Sequence, residues 1–412
     1  MSRVALLLGL GTLAALAGCR GDESGGDPEP APAPPPVEWS ADVQKAAEGN
    51  NVFALDLYKK LAEKEKGKNV FYSPYSVHGA LAMTATGAKF NTRDQMLAAL
   101  HLPDDAKALA AGDLGRYYAH PRAAFELAVA NALWGQKGFP WRAEWLAVQN
   151  ERFGAGFNEA DFRANPEGEC LRINKWVEEK TRGRIKELLL RDQITPDTRM
   201  VLTNAIYFKG KWVTEFDPKK TRDAPFHCGD DSVVQVPMMH TKAKCGYAHQ
   251  IDGASMVELP YRGGDLSMVV ILPRLPGGLP ALEQKLSPEA LGKWLAELKD
   301  RSDLEVSLPK FKIETRYELP AHLKALGMTD AFDRFKADFT DMASEPPGWI
   351  TDVSHKAFVE VSEEGTTAAA ATAVVVGGKS DPPSFYADHP FLFLIRDVKH
   401  GTVLFVGRYA GP

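Results

Sequence analysis

Residues 199–212, RMVLTNAIYFKGKW, run from Arg199 to Lys209 without a charge or a proline between them and are rich in Val, Leu, Ile, Tyr and Phe. A half-buried strand alternates apolar and polar residues, so a run that is largely apolar at both parities reads as a strand covered on both faces. FELAVANALWGQ (125–136) alternates and then runs apolar in the same way, LSMVVILP (266–273) is another such segment, and FLFLIRD (391–397) with GTVLFVGRY (401–409) makes a hairpin-like pair. Helical stretches come mostly earlier. Ala41 to Lys66 has roughly helical apolar spacing, broken near Gly49. NVFYSPYSVHGALAMTATGA (69–88) reads as a short strand and then a helix opened by Ser73 and Pro74. NTRDQMLAALHL (91–102) reads as a helix capped by Thr92, with Gln95 completing a capping box. CLRINKWVEEKTRGRIKEL (170–188) is amphipathic, with apolar positions at Leu171, Ile173 and Val177. Early helices followed by many long strands predict an α+β fold with large, mostly covered antiparallel sheets.

The chain has 412 residues, and no repeat or linker interrupts it after residue 40, so residues 39–412 read as one large domain. Residues 1–18 read as a signal peptide: Arg3 is the positive end, Val4 to Leu16 are apolar or small, and the run ends in Leu16-Ala17-Gly18-Cys19. That tetrapeptide resembles a bacterial lipobox, which makes Cys19 the expected lipidation site; a plain secretory signal is the alternative. Residues 19–38, rich in Pro, Gly and acid, cannot bury apolar area and read as a tether. The expected location is a bacterial cell envelope, lipid-anchored, with Arg20 after the cysteine compatible with the outer membrane, or secretion to the extracellular space.

Lys+Arg 49 against Asp+Glu 54 gives no electrostatic reason to expect nucleic acid. Beyond Cys19 there are three cysteines, Cys170, Cys228 and Cys245. Cys228 and Cys245 flank SVVQVPMM and could pair there, while three unpaired thiols is the simpler expectation. No cysteine or histidine spacing suggests zinc. GxGxxG, Walker, HExxH and GxSxG sequences are absent, so no enzyme, metal or cofactor chemistry is expected. His355, in DVSHKAF, reads as a buried, hydrogen-bonded structural histidine.

Segments in order along the chain then resemble one family. These are NVFYSPYSVHGALAMTATGAKFNTRDQMLAAL, ANALW, INKWVEEKTRGRIKELL, VLTNAIYFKGKW, VPMM, MVELPY, LPKFKIE, VSHKAFVEVSEEGTTAAAATAV and DHPFLFLIRD with GTVLFVGRY. Over about residues 40–411 they resemble the serpins. The resemblance implies three β-sheets, surrounding helices and an exposed reactive loop. It also implies a mechanism in which a protease cleaves the loop, forms an acyl-enzyme, and is trapped when the loop inserts into the largest sheet. It assigns Glu363, Gly365, Thr366, Ala368, Ala370 and Lys310 to the hinge. Ser73, Ser76, Asn204 and His355 fall in the cluster beneath the sheet, and Trp212 at its top. Lys379-Ser380 is the bond cleaved, and counting from Glu363 and from Pro390 reaches the same pair.

The residues permit such an insertion. Thr366, Ala368, Ala370, Thr372, Val374 and Val376 would share one face, with no charge, bulk or proline among them. Ten new backbone hydrogen bonds at about 1 kcal/mol each would release on the order of 10 kcal/mol, so the uninserted state must be kinetically held. Lys379 suits a trypsin-like pocket; Val376 is the alternative for an elastase-like target, and papain-like cysteine proteases and a non-inhibitory carrier are further alternatives. The expected partner is a trypsin-like serine protease in a covalent complex. A monomer is expected, and no helix carries the basic face of a heparin site.

Overall fold

The computed structural model describes residues 37–412 except 155–156, 231 and 367–383. Its helices are α1 (Ala41–Lys64), α2 (Pro74–Ala85), α3 (Phe90–Ala99), α4 (Asp105–Ala119), α5 (Ala143–Val148), α6 (Pro166–Lys180), α7 (Leu279–Lys285), α8 (Pro288–Ala296) and α9 (Pro320–Ala325). Its strands are β1 (Val70–Tyr72), β2 (Phe125–Gln136), β3 (Phe157–Ala160), β4 (Met200–Lys211), β5 (Arg222–His227), β6 (Val233–Ile251), β7 (Ala254–Pro260), β8 (Leu266–Pro273), β9 (Lys299–Pro309), β10 (Phe311–Glu318), β11 (Val353–Val361), β12 (Gly365–Thr366), β13 (Ser384–Tyr386), β14 (Phe391–Asp397) and β15 (Val403–Tyr409). The α+β class holds.

Six strands form one sheet in the order β10-β11-β4-β2-β3, with β12 on β4; β11 and β4 run parallel. The other ladder is two sheets that share the long β6. Along β6, residues 233–238 pair with β5, residues 238–247 with β9, which carries β13, and residues 246–251 with β7, which leads to β8, β14, β15 and β1. Register shifts between Ala243 and Cys245 and between Ala248 and Ile251 re-aim the strand along that course.

The apolar run 199–212 is explained by what covers it. Met200, Leu202, Ile206 and Phe208 join the main core with α2 and the β8–β14–β15 layer, while Val201, Ala205 and Tyr207 join a second core under α6 with Cys170, Ile173 and Val177. One strand therefore carries two apolar faces at period two.

Three local expectations need correction. Gly49 does not break α1; a side chain there would meet the His101 carbonyl at 2.6 Å, so the glycine lets the α3–α4 connection lie against a continuous helix. Thr92 and Gln95 do not form a capping box, because α3 begins at Phe90 with no side-chain cap. Gln95 Oε1 instead accepts the amides of Thr329 and Asp330, and Thr92 Oγ1 accepts that of Asp338, stitching α3 to a distant loop. Leu171 faces solvent, and Cys170 takes its place beside Ile173 and Val177. The simpler expectation for the cysteines holds: Cys170, Cys228 and Cys245 are all free thiols.

Candidate functional site

The seam between the parallel strands β4 and β11 is where the sequence-predicted residues gather, and α2 meets it from the core side. Ser73 follows β1 and caps α2: Pro74 takes the first helical position, and Ser73 Oγ accepts the Ser76 amide at 3.2 Å. The same hydroxyl donates to the Leu404 carbonyl at 2.7 Å. On the seam, His355 of β11 and Asn204 of β4 are register partners.

His355 Nε2 accepts the Ser73 amide at 3.1 Å, so its proton lies on Nδ1, which donates to Asn204 Oδ1. Burial pushes the His355 pKa down to about 3, so the ring is neutral. Asn204 Nδ2 donates to Ser76 Oγ and to Asn131 Oδ1, both at 2.8 Å. Ser76 Oγ donates to Asn131 Oδ1 at 2.9 Å, and Asn131 Nδ2 returns to the Ser76 carbonyl at 3.0 Å. Asn131 stands opposite Asn204 on β2 and was missed from the sequence, although it lies within the quoted ANALW. No member leaves a polar atom unmet, so the cluster bolts three strands to one helix.

At its upper end the seam is already parted. After β11 the chain turns through Glu363 and Glu364, with Ser362 and Gly365 exchanging backbone hydrogen bonds at 2.8 and 3.2 Å, and β12 starts back antiparallel to β4. Three successive carbonyls of this turn are held. Trp212 Nε1 donates to Ser362 O at 3.0 Å, the Phe216 amide to Glu363 O at 2.7 Å, and the Trp212 amide to Glu364 O at 2.9 Å. Trp212 is buried and stacked on Tyr261, whose hydroxyl pairs with Thr366 Oγ1 at 3.1 Å; Thr366 is wholly buried. Gly365 has φ +149°, and a side chain there would fall 2.1 Å from the Gly210 carbonyl. Only glycine fits.

The two turn carboxylates are held differently. Glu363 Oε2 pairs with Lys310 Nζ at 3.0 Å and Oε1 accepts the Thr221 hydroxyl at 3.0 Å. Burial opposes its ionisation, but its own amide, Lys310 and Thr221 outweigh that and hold its carboxyl below the usual range. Glu364 is also buried; its Oε2 has no hydrogen-bond partner and lies 3.9 Å from Lys211 Nζ.

The resemblance places its hinge residues in this turned-back strand and its under-sheet residues in this closed polar cluster. The family model described as serpin (serine protease inhibitor) matches residues 48–412. The chain belongs to the serpin family. It is 41% identical to Serpin B8 of Homo sapiens over 89% of this chain and 99% of that protein. To the leukocyte elastase inhibitor of Equus caballus it is 37% identical, over 90% and 100%. Among solved structures, uncleaved ovalbumin superposes with a TM-score of 0.81 at 29% identity, covering 89% of this chain and 100% of that one. Human thyroxine-binding globulin complexed with thyroxine superposes at 0.82 and 28%, covering 90% and 100%.

In this serpin the structure brings Ser73, Ser76, Asn204 and His355 into one cluster, and Trp212, Lys310, Glu363, Gly365 and Thr366 into one seat. Ala368, Ala370, Lys379, Ser380 and Cys19 lie outside the described residues. Sequence reasoning missed Tyr261, Thr221 and Lys211 as well as Asn131. Tyr261 ends the quoted MVELPY, but nothing local reveals that it faces Thr366, 105 positions on.

Proposed function

We propose that this serpin is a suicide-substrate inhibitor of trypsin-like serine endopeptidases, with Lys379-Ser380 as the bait bond. The observation that carries the reading is the seating of Gly365 and Thr366 opposite Lys211 and Gly210. Continued in that antiparallel register, each step along the loop moves one residue back along β4. Thr372 would then fall opposite Asn204, and Val376 opposite Met200, the first residue of β4. The Ser362–Gly365 turn sets the register against β11 independently, and it places Thr372 opposite His355, which is itself the partner of Asn204. Both neighbours thus offer one consistent slot.

The slot's two faces match the loop's composition. Thr366 points to the core side, where Ala368 and Ala370 would lie across from Phe208 and Ile206, both fully buried, so small residues are required there. Residues of the other parity would lie under α6 beside Ala205 and Tyr207. The polar cluster is the shutter that must part for the strand to pass, and the Trp212 seat is where entry begins. Residues 1–18 direct export, and Cys19 carries lipid that anchors the protein to a bacterial envelope through residues 19–38.

Incubation with trypsin followed by denaturing electrophoresis tests the reading. A complex stable to detergent is expected, with a released fragment beginning at Ser380 by mass spectrometry. Cleavage after Lys379 with no complex sinks it and favours the carrier reading. That second reading has its own support: the likeness to thyroxine-binding globulin, and a cavity of about 780 Å³ between α1, α7 and the end of β15, bordered by Tyr58, Glu283 and Arg408. Cleavage after Val376 would redirect the assignment to an elastase-like target. Mass analysis of Cys19→Ser against the native protein tests the anchor through loss of the lipid increment.

A further inference from the structure

A hollow of about 270 Å³ lies where the ends of α1 and β10 meet α9. Lys64 and Glu65 close α1, and Arg316 and Glu318, two positions apart on β10, leave the same face of that strand. Tyr317 between them turns inward, where its hydroxyl accepts the Phe71 amide at 3.4 Å. Pro320 opens α9 two residues after β10 ends, which keeps His322 beside the end of the strand and in the wall of the hollow.

Several polar groups here are unmet. Arg316 Nη2 donates to Gln193 Oε1 at 2.8 Å, but its Nε is buried with no hydrogen bond, and Glu318 comes only within 4.0 Å. His322 is buried, and its Nδ1 likewise has no partner. Burial, and then Lys64, hold its pKa below the usual histidine value, so the ring is neutral at pH 7. Lys60 and Lys68 pair with Glu63 and Glu65, whereas Lys64 has no carboxylate within 4 Å among the described residues. The Glu65 carboxylate meets only the exposed Lys68, at 3.6 Å.

Two cations, two carboxylates and an imidazole around one hollow do not suit a simple anion, which Glu65 and Glu318 repel, nor a simple cation, which Lys64 and Arg316 repel. They suit a molecule that carries both signs close together. The volume lies below the roughly 300–1,000 Å³ of pockets that take drug-sized ligands, so the occupant is small. We propose that this hollow binds a free α-amino acid. Its carboxylate lies between Arg316 Nε and Lys64 Nζ, and its ammonium donates to Glu65 and to His322 Nδ1, with the C-terminal end of α1 adding partial negative charge on that side. The hollow shares no lining residue with the larger cavity bordered by Tyr58, Glu283 and Arg408. A bound amino acid joins α1 to β10, the edge of the sheet that carries the β4–β11 seam.

Titration calorimetry on the full protein, with each of the common amino acids in turn and then the N-acetyl and amide forms of the tightest, tests the site. At least one is expected to bind tenfold or more tighter than its N-acetyl form, which lacks the ammonium, and its amide, which lacks the carboxylate. Lys64→Met and Glu65→Gln are each expected to weaken it at least fivefold, and Arg316→Gln tenfold or more. Binding by none of them, binding as tight by either blocked form, or binding unchanged in either Lys64→Met or Glu65→Gln overturns the site. Those two variants lie at the surface, so a change in affinity is separable from unfolding. No readout requires the protein to inhibit a protease, so failure here is also separable from failure of the inhibitory reading.

Discussion

At the middle of the seam, His355 and Asn204 face each other across strands in unbroken parallel register; at its upper end the same two strands are parted by the Glu363–Glu364 turn and by Thr366. In the middle Ser73, Ser76, Asn204 and His355 are buried and no buried side-chain polar atom of the cluster goes unmet. The top is held by an ion pair whose lysine is 43% exposed, by three backbone carbonyls, and beside a carboxylate oxygen with no hydrogen bond. Breaking a satisfied buried network costs about 1–3 kcal/mol for each group stranded, whereas a partly exposed ion pair is worth about 1 kcal/mol or less. Resistance to widening is therefore concentrated at the cluster, and under the proposed insertion the top is the starting notch.

The sharpest way to break the contrast is to block the notch. Thr366→Arg puts a long cation where a buried hydroxyl now meets Tyr261. Trypsin should then cleave it without being trapped, with the fraction of covalent complex on gels falling at least tenfold. Asn204→Ala attacks the cluster instead, stranding the His355 Nδ1–H and partners on Ser76 and Asn131. It should lower stability in urea by about 3 kcal/mol. It should also raise the rate at which the loop enters the sheet unprompted, read as the appearance of a form resistant to heat.

Acid is a milder probe of the same cluster. Unfolded histidines take up protons below about pH 6.5, but burial holds His355 neutral to about 3 and His78 to about 4. Their folded pKa values are depressed, so the stability they contribute is complete above pH 6.5 and is lost as pH falls. Each should steepen the decline by up to about 1.4 kcal/mol per pH unit below 6.5. His355→Gln should remove one such slope from urea midpoints measured between pH 7.5 and 5. The smallest effect is expected at the top: Lys310→Met, removing the partner of Glu363, should shift urea stability by about 1 kcal/mol or less. A loss near that of Asn204→Ala would show that the two ends of the seam are held alike.

Part of this was legible in the sequence because it obeys local rules. The doubled apolar parity of 199–212 announced a strand covered on both sides, and Ser73-Pro74 announced the start of α2. What escaped depends on partners far along the chain. Gln95 stands where a capping box would put it, yet it bonds Thr329, 234 positions away. Asn131 belongs to the cluster only because β2 pairs with β4 in a particular register, and Lys211 matters only because Gly365 folds back on it. Leu171 looked like a core residue from its chemistry, but the helix phase set by Cys170, Ile173 and Val177 turns it outward. Periodicity reports which face is covered and is silent about what covers it.

The bond from the Ser73 hydroxyl to the Leu404 carbonyl spans 331 positions, and β1 likewise waits for β15 to pair with it. During synthesis the chain emerges from its N-terminal end, so the second hydrogen bond of the Ser73 hydroxyl and the pairing of β1 remain unmade until β15 has emerged. Contacts of such range are formed late and slowly. A chain lacking β14 and β15 would still carry β4, β11 and the Ser362–Gly365 turn but would leave Ser73 and β1 without those partners, so emergence of this hairpin is the event that completes the support beneath the seam.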